Sequence, residues 1–193
     1  MTETALPAVA RSDPPRFEAI FDGEFGYVTN SLRRLGVREG DLNDQVQEVF
    51  LTVHRILDDY DPSRPLRPWL FGVAYRVAAR YRGGVQRRRE VSFDGEQDAL
   101  EQTVDPHPPA DVAIDREQRR ALVLHAIERI DLSRRAVFVM SEIDGHAMPE
   151  IAHALGIPLN TAYSRLRLAR EEFAGAVKRL GMQGMQGMQG GKS

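Results

Sequence analysis

The sequence predicts an all-α protein: two small helical domains joined by a flexible acidic linker, with a helix-turn-helix in the C-terminal domain. Three observations lead there. Apolar residues recur every three or four positions from Phe17 to Tyr81 and again from Leu122 to Phe173, the period of a half-buried helix. Between these stretches, residues 92–115 contain seven Asp or Glu, three Pro, and no Lys or Arg. That composition has too little apolar surface for a core and reads as a linker. Near the C-terminus, two short helical patterns flank Gly156 and Pro158 in the manner of a helix-turn-helix.

Each element follows in order. Residues 1–15 read as a flexible leader, and the first domain as 16–90. Its first helix carries Phe17, Ile20, Phe21, Phe25, Val28, Leu32 and Leu35 and stops at Gly36. The second helix is expected to be capped by Asp41 and to bury Leu42, Val46, Val49, Phe50, Val53, Ile56 and Leu57. Its other face is acidic: Asp41, Asp44, Glu48, Asp58, Asp59 and Asp61 stand against Arg55 alone. Turn residues 61–65 lead into a third helix near Pro68–Trp69, with Leu70, Val73, Val77, Ala78 and Tyr81 inward. Here the charge inverts, with Arg64, Arg67, Arg76, Arg80, Arg82 and Arg87–Arg89 facing only Glu90. Gly83 and Gly84 are expected to end this helix, leaving Arg87–Arg89 as a mobile arm. The linker is taken as 91–115.

The second domain is read as 116–180. A first helix carries Leu122, Ile127 and Ile130; a second, capped by Ser133, carries Val137, Met140 and Ile143. Ile151, Ala152 and Leu155 then form the inner face of a short helix, Gly156 turns the chain, and Asn160 or Thr161 caps the next helix. That last helix turns Ala162, Leu166, Ala169 and Phe173 inward and Tyr163, Ser164, Arg167 and Arg170 outward. Such a helix suits a DNA major groove; an ordinary helical hairpin with a basic face is the plainer alternative. Residues 181–193 repeat Gly-Met-Gln and are expected to be disordered rather than helical.

Composition excludes several classes. The 193 residues include no Cys, so there is no disulfide framework or thiolate metal site. No apolar run approaches the ~20 residues that cross a bilayer, and the N-terminus lacks a signal-peptide core; the expected setting is cytoplasmic. A net charge of −2 argues against an indiscriminate polyanion binder, but the charge is segregated along the chain. His146, Glu150 and His153 fall at helical spacing, yet Pro149 should open the helix and leave His146 in the loop, so solvated side chains are expected rather than a metal site. The Asp58–Asp61 run lacks the glycine and glutamate of a calcium loop. No nucleophile triad or phosphate loop stands out, and no catalytic, cofactor or metal residue is assigned.

Taken together, the motifs resemble those of the extracytoplasmic-function (ECF) sigma factors of bacterial RNA polymerase. Asp44–Phe50 (DQVQEVF) resembles region 2.2, Pro68–Ala74 (PWLFGVA) the opening of region 2.3–2.4, and Glu150–Gly156 (EIAHALG) with Thr161–Leu166 (TAYSRL) region 4.2. The resemblance covers about 17–89 and 119–180. It implies a promoter-specificity subunit that is not an enzyme, needs no cofactor, and has core polymerase, promoter DNA and an anti-sigma factor as partners. It assigns Asp44, Gln47, Glu48 and Phe50 to core polymerase, with Phe50 partly in the core. It places Arg64, Arg67, Trp69, Arg76 and Arg80 at the −10 element, and Asn160, Thr161, Tyr163, Ser164, Arg165, Arg167 and Arg170 at the −35 element. Arg76 and Arg80 stand where many relatives carry Asn or Asp, which leaves the −10 base preference open. A stand-alone helix-turn-helix regulator is the alternative; it would not need the acidic second helix, the Trp69 helix or the acidic linker.

Overall fold

The computed structural model describes residues 16–91 and 111–189. The leader, linker positions 92–110 and residues 190–193 lie outside them. Every regular element among the described residues is helical: α1 (Phe17–Arg34), α2 (Leu42–Ile56), α3 (Leu66–Val91), α4 (Asp111–Glu128), α5 (Leu132–Phe138), α6 (Met148–Leu155) and α7 (Leu159–Gln189).

The first three helices pack around Val28, Leu32, Val49, Val53, Leu70 and Val77, all at most 1% exposed. α1 ends where Gly36 takes φ +88°, with Val37 N donating to Leu32 O at 3.1 Å. A side chain is strained in that left-handed region, which is why a glycine stands there. α2 starts from a 3₁₀ turn over Glu39–Asp41, but Asp41 does not cap it as expected. Its carboxylate accepts from the Tyr81 hydroxyl at 2.6 Å instead, tying the start of α2 to α3. Burial, reinforced by that bond, holds the Tyr81 phenol above its ordinary pKa.

α3 does not stop at Gly83 and Gly84; it continues to Val91, so Arg87–Arg89 are helical. Two glycines cost about 1 kcal/mol each, but an established helix gains a hydrogen bond for every residue it adds and bears no second nucleation. The same reasoning corrects the tail. α7 runs to Gln189 through the Gly-Met-Gln repeat, because Met and Gln are good helix formers and an existing helix leads into them. α4 begins at Asp111, inside the segment read as linker.

In the second half, Asp131 rather than Ser133 caps α5. Its carboxylate accepts from Ser133 N at 3.0 Å and from Ser133 Oγ at 2.6 Å, and these bonds hold its pKa below the usual carboxylate range. A π-helical turn over Val139–Ile143 extends α5. Gly156, at φ +64°, closes α6 and permits the sharp turn into α7. α7 already begins at Leu159, with Ala162 N donating to Pro158 O at 3.1 Å, so Asn160 and Thr161 lie inside the helix and do not cap it.

The two halves lie against each other, and one buried cluster runs from Ile20 in α1 to Ala169 in α7. α6 packs on α3, and α4 on α1. At the α3–α6 crossing a Cβ on Gly72 would overlap the Ala154 carbonyl oxygen.

Candidate polymerase and nucleic-acid interfaces

Three exposed surfaces gather the residues singled out from sequence. The first lies on α1 and α2. Asp44 and Gln47 are exposed, and Glu48 is half-buried, reaching Arg80 of α3 at 3.4 Å. Phe50 is only 3% exposed and belongs to the interior. Around it stand Phe17, Phe21 and Phe25, with ring centroids 6.4, 4.7 and 6.2 Å away. Two of these rings reach solvent: Phe21 is 38% and Phe25 42% exposed, beside Leu51 at 46%. Sequence reasoning placed Phe21 and Phe25 in the apolar pattern of the first helix without separating them from its buried row. The available signal was the width of the stripe: α1 carries Phe17, Phe21 and Phe25 four apart, beside a separate buried row of Ile20, Val28 and Leu32. The surplus row makes a contiguous apolar patch next to the Asp44–Gln47 face, which is the composition of an interface.

The second surface is the loop before α3 and the exposed side of α3. The loop is held by its own bonds. Asp61 accepts from Ser63 N, Ser63 Oγ and Arg64 Nε at 3.0, 2.7 and 3.2 Å, and these bonds, the Ser63 hydroxyl foremost, lower its pKa. The Tyr60 hydroxyl donates to Arg64 O at 2.6 Å, and its ring lies 4.9 Å from that of Trp69. Trp69, half-buried, thus forms the wall of a cleft of about 230 Å³ whose rim includes Asp59, Arg64 and Arg76. Arg67 pairs with Glu24 at 2.9 Å and lies 5.1 Å over the Tyr27 ring. Arg76 and Arg80, four apart on one helix, go to different neighbours: Arg76 lines the cleft, while Arg80 turns to Glu48. A pocket walled by aromatic rings and edged by guanidiniums can stack a base and hold the phosphates on either side of it.

The third surface is the start of α7. Asn160, Tyr163, Ser164, Arg167 and Arg170 are exposed, while Thr161 and Arg165 are half-buried. Ser164 Oγ donates back to Asn160 O at 2.9 Å. Arg167 pairs with Glu171 at 2.6 Å and Arg170 with Glu142 at 2.7 Å. Beneath them Ala162, Leu166 and Ala169 are buried against α5 and α6, which fixes the exposed row on a rigid base. His146 sits in the loop before α6, Glu150 accepts from the Ala147 amide at 3.3 Å, and His153 is exposed on the rim of the Trp69 cleft. No helix among the described residues is long and apolar enough to cross a membrane.

Comparison with known proteins finds two family regions in the chain. Residues 25–88 match the family described as Sigma-70 region 2, and residues 120–173 match Sigma-70, region 4. The RNA polymerase sigma factor CnrH of Cupriavidus metallidurans is 31% identical over 154 residues, which is 76% of this chain and 78% of that protein. The ECF RNA polymerase sigma-E factor of Escherichia coli K12 is 30% identical over 152 residues, 75% and 78% of the two chains. Among solved structures, CnrH in complex with the cytosolic domain of CnrY aligns with a TM-score of 0.56 at 23% identity, covering 84% of this chain and 88% of that one. The sigma factor RpoE in complex with the anti-sigma factor NepR from Bartonella quintana aligns at 0.62 and 17% identity, covering 84% and 96%.

Proposed function

The chain belongs to the ECF sigma factors of the sigma-70 family, the promoter-recognition subunits of RNA polymerase, and from that membership we propose how its three surfaces divide the work. The α1–α2 face docks on core polymerase, with Asp44, Gln47 and Glu48 supplying charge and hydrogen bonds and Phe21, Phe25 and Leu51 the apolar area. Phe50 supports this face from inside. The loop before α3 and α3 itself engage the −10 element as it melts: the Tyr60–Trp69 wall receives an unstacked base, and Arg64, Arg67, Arg76 and Arg80 hold phosphates. Unstacking a base costs a few kcal/mol, which ring stacking and charge-assisted contacts offset.

The start of α7 reads the −35 element. Tyr163, Ser164 and Arg167 reach base edges; Asn160, Thr161, Arg165 and Arg170 position the helix on the backbone. In this reading 16–90 and 116–180 are the two DNA-reading domains, and the acidic segment 91–115 follows the polymerase's cationic RNA path. The chain works in the cytoplasm without a cofactor and without chemistry of its own. An anti-sigma factor restrains it, a reading supported by the complexes in which its fold relatives are held.

One observation carries this reading: the acidic, aromatic face of α1–α2 is distinct from the arginine-rimmed Trp69 cleft and shares no lining residue with it. A stand-alone DNA-binding regulator has no use for the first of these. The test adds purified chain to core polymerase on promoters recovered from transcripts after overexpression. Start-site thymines should become permanganate-reactive only when both are present. Opening without the chain, or no association with core, would defeat the proposal.

A further inference from the structure

Arg167 and Arg170 both face outward on α7, yet they are held differently. Arg167 pairs with Glu171, four residues on in its own helix, and both side chains are largely exposed. Such a pair moves with its helix and gives way easily. Arg170 Nη2 donates instead to Glu142 Oε1 at 2.7 Å, and Glu142 belongs to another element, the π-turn that extends α5. The carboxylate is the more enclosed partner, 35% exposed against 60% for Arg170.

The π-turn accounts for where Glu142 stands. Asp144 N donates to Val139 O, five residues back, at 3.0 Å, where an α-helix would bond four residues back. One extra residue is thereby fitted into the turn. α-Helical spacing would keep Ile143 on the inner face below the buried Met140, but Ile143 is 39% exposed. The same turn that brings Ile143 outward sets Glu142 against α7. The two helices do not need this pair to stay together. Phe138 packs on Phe173 with ring centroids 5.0 Å apart, and Arg134 of α5 meets Glu172 of α7 at 2.8 Å. One more solvent-exposed ion pair adds little stability to that, whereas a π-turn is a rare conformation that recurs at functional sites.

We propose that Glu142 is a positioning residue for −35 recognition: the π-turn delivers its carboxylate to Arg170 and so fixes the guanidinium, before DNA arrives, in the direction of a backbone phosphate. This deepens the proposed function and rests on its assignment of α7 to the −35 element. A guanidinium has five N–H donors in one plane; Glu142 engages one nitrogen, orients the plane, and leaves donors for phosphate oxygens. Ordering a long side chain at an interface opposes binding, and here the ordering is done in advance. A phosphate contact carries no base information itself, but it fixes the register in which Tyr163, Ser164 and Arg167 meet the bases. Removing Glu142 also takes a negative charge away from the DNA-facing side. The two effects act oppositely on affinity, so sequence discrimination is the quantity that tests the proposal.

Holoenzyme reconstituted from the full chain and core polymerase is titrated onto a promoter recovered from transcripts after overexpression, and onto the same duplex with its −35 element scrambled. The ratio of the two dissociation constants is read, so that differences in core affinity cancel. Glu142→Ala should lower this ratio about three-fold or more, and Arg170→Ala at least as much. In an Arg170→Ala background, Glu142→Ala should change the ratio no further, because it acts only through Arg170. Glu142→Gln, whose amide oxygen still accepts from the guanidinium, should keep most of the wild-type ratio. A merely structural role would lower the ratio equally in both backgrounds. Simple charge repulsion would strengthen binding to both duplexes alike, for Gln as for Ala, and leave the ratio unchanged. Either result would overturn the proposal. A wild-type holoenzyme with no preference for the intact −35 element would defeat the assignment of α7 and the positioning with it; a normal wild-type ratio untouched by Glu142→Ala would defeat the positioning alone.

Discussion

Arg135 lies in a run of residues that looks like an ordinary solvated helix start, yet it is 1% exposed. Its guanidinium donates to the carbonyls of Ile130 and Glu128 and so satisfies the C-terminal end of α4, whose last carbonyls have no partner in the helix. Burial, and then the charge of Arg82, lower its pKa to about 10. No pattern in the sequence marks this arginine as interior, because its partners are backbone atoms. The sequence pointed to Ser133 as the cap of α5; Asp131 takes that place because its carboxylate reaches the free Ser133 amide. Asp131→Ala should cost about 1 kcal/mol in urea unfolding. Because the folded pKa of Asp131 is depressed, the cap contributes fully above the ordinary carboxylate pKa of 3.8 and is lost as pH falls through the lower folded value; the variant should lack this acid-limb dependence. Arg167 was legible as exposed from the helical period alone. Its pair with Glu171 is solvent-exposed and worth little, so DNA can take the guanidinium at small cost. Arg167→Ala should lose about 1–3 kcal/mol at one −35 base position, measured by binding to a panel of single-base variants. A uniform loss across the panel would make it a phosphate contact.

At the scale of elements, periodicity located the helices well and their ends less well. α1, α2 and α6 start and stop close to the expected residues, because glycines of positive φ and a proline mark the ends of α1 and α6. α3 and α7 run past their glycines, since a low local propensity does not stop a helix that is already formed. The charge of α2 and α3 supports two predictions. Reversing the acidic face with Asp44→Arg and Glu48→Arg should weaken core association at least about ten-fold while leaving Tm nearly unchanged, as Asp44 is exposed and Glu48 makes only a 3.4 Å surface pair. Equal affinity of the folded double variant for core would remove that face from the contact. Arg76→Ala with Arg80→Ala should keep core binding and closed-complex formation but lose the open complex, read as absent permanganate reactivity at start-site thymines. Wild-type reactivity would make both arginines surface charge. Their separate neighbours in the structure make the two single variants informative: Arg76, on the cleft, should carry more of the loss than Arg80, which Glu48 already engages.

At the scale of the whole molecule the buried cluster continues from one half into the other, so the halves should unfold together. Urea transitions followed by Trp69 emission, which reports the first half, and by far-ultraviolet circular dichroism, which reports both, should share one midpoint; two midpoints would mean the halves are energetically separate. Fold class, the inversion of charge between α2 and α3, and the exposed row Tyr163–Ser164–Arg167 were all readable from order and period, since each depends on residues within one helix or the next. The solvent-facing aromatic patch of Phe21 and Phe25 was not, because a stripe's width shows that a helix is apolar without showing how much of it a neighbour covers. Nor was the burial of Arg135, whose partners are backbone carbonyls. Nor was the use of Asp41 by Tyr81 or of Asp144 by Tyr27 and Arg34, pairings across 40 to more than 100 residues, between groups whose local sequence carries no trace of one another. A helix's period follows from its own residues; which face meets which is decided only when the packed chain brings distant carboxylates, hydroxyls and backbone oxygens within hydrogen-bond reach.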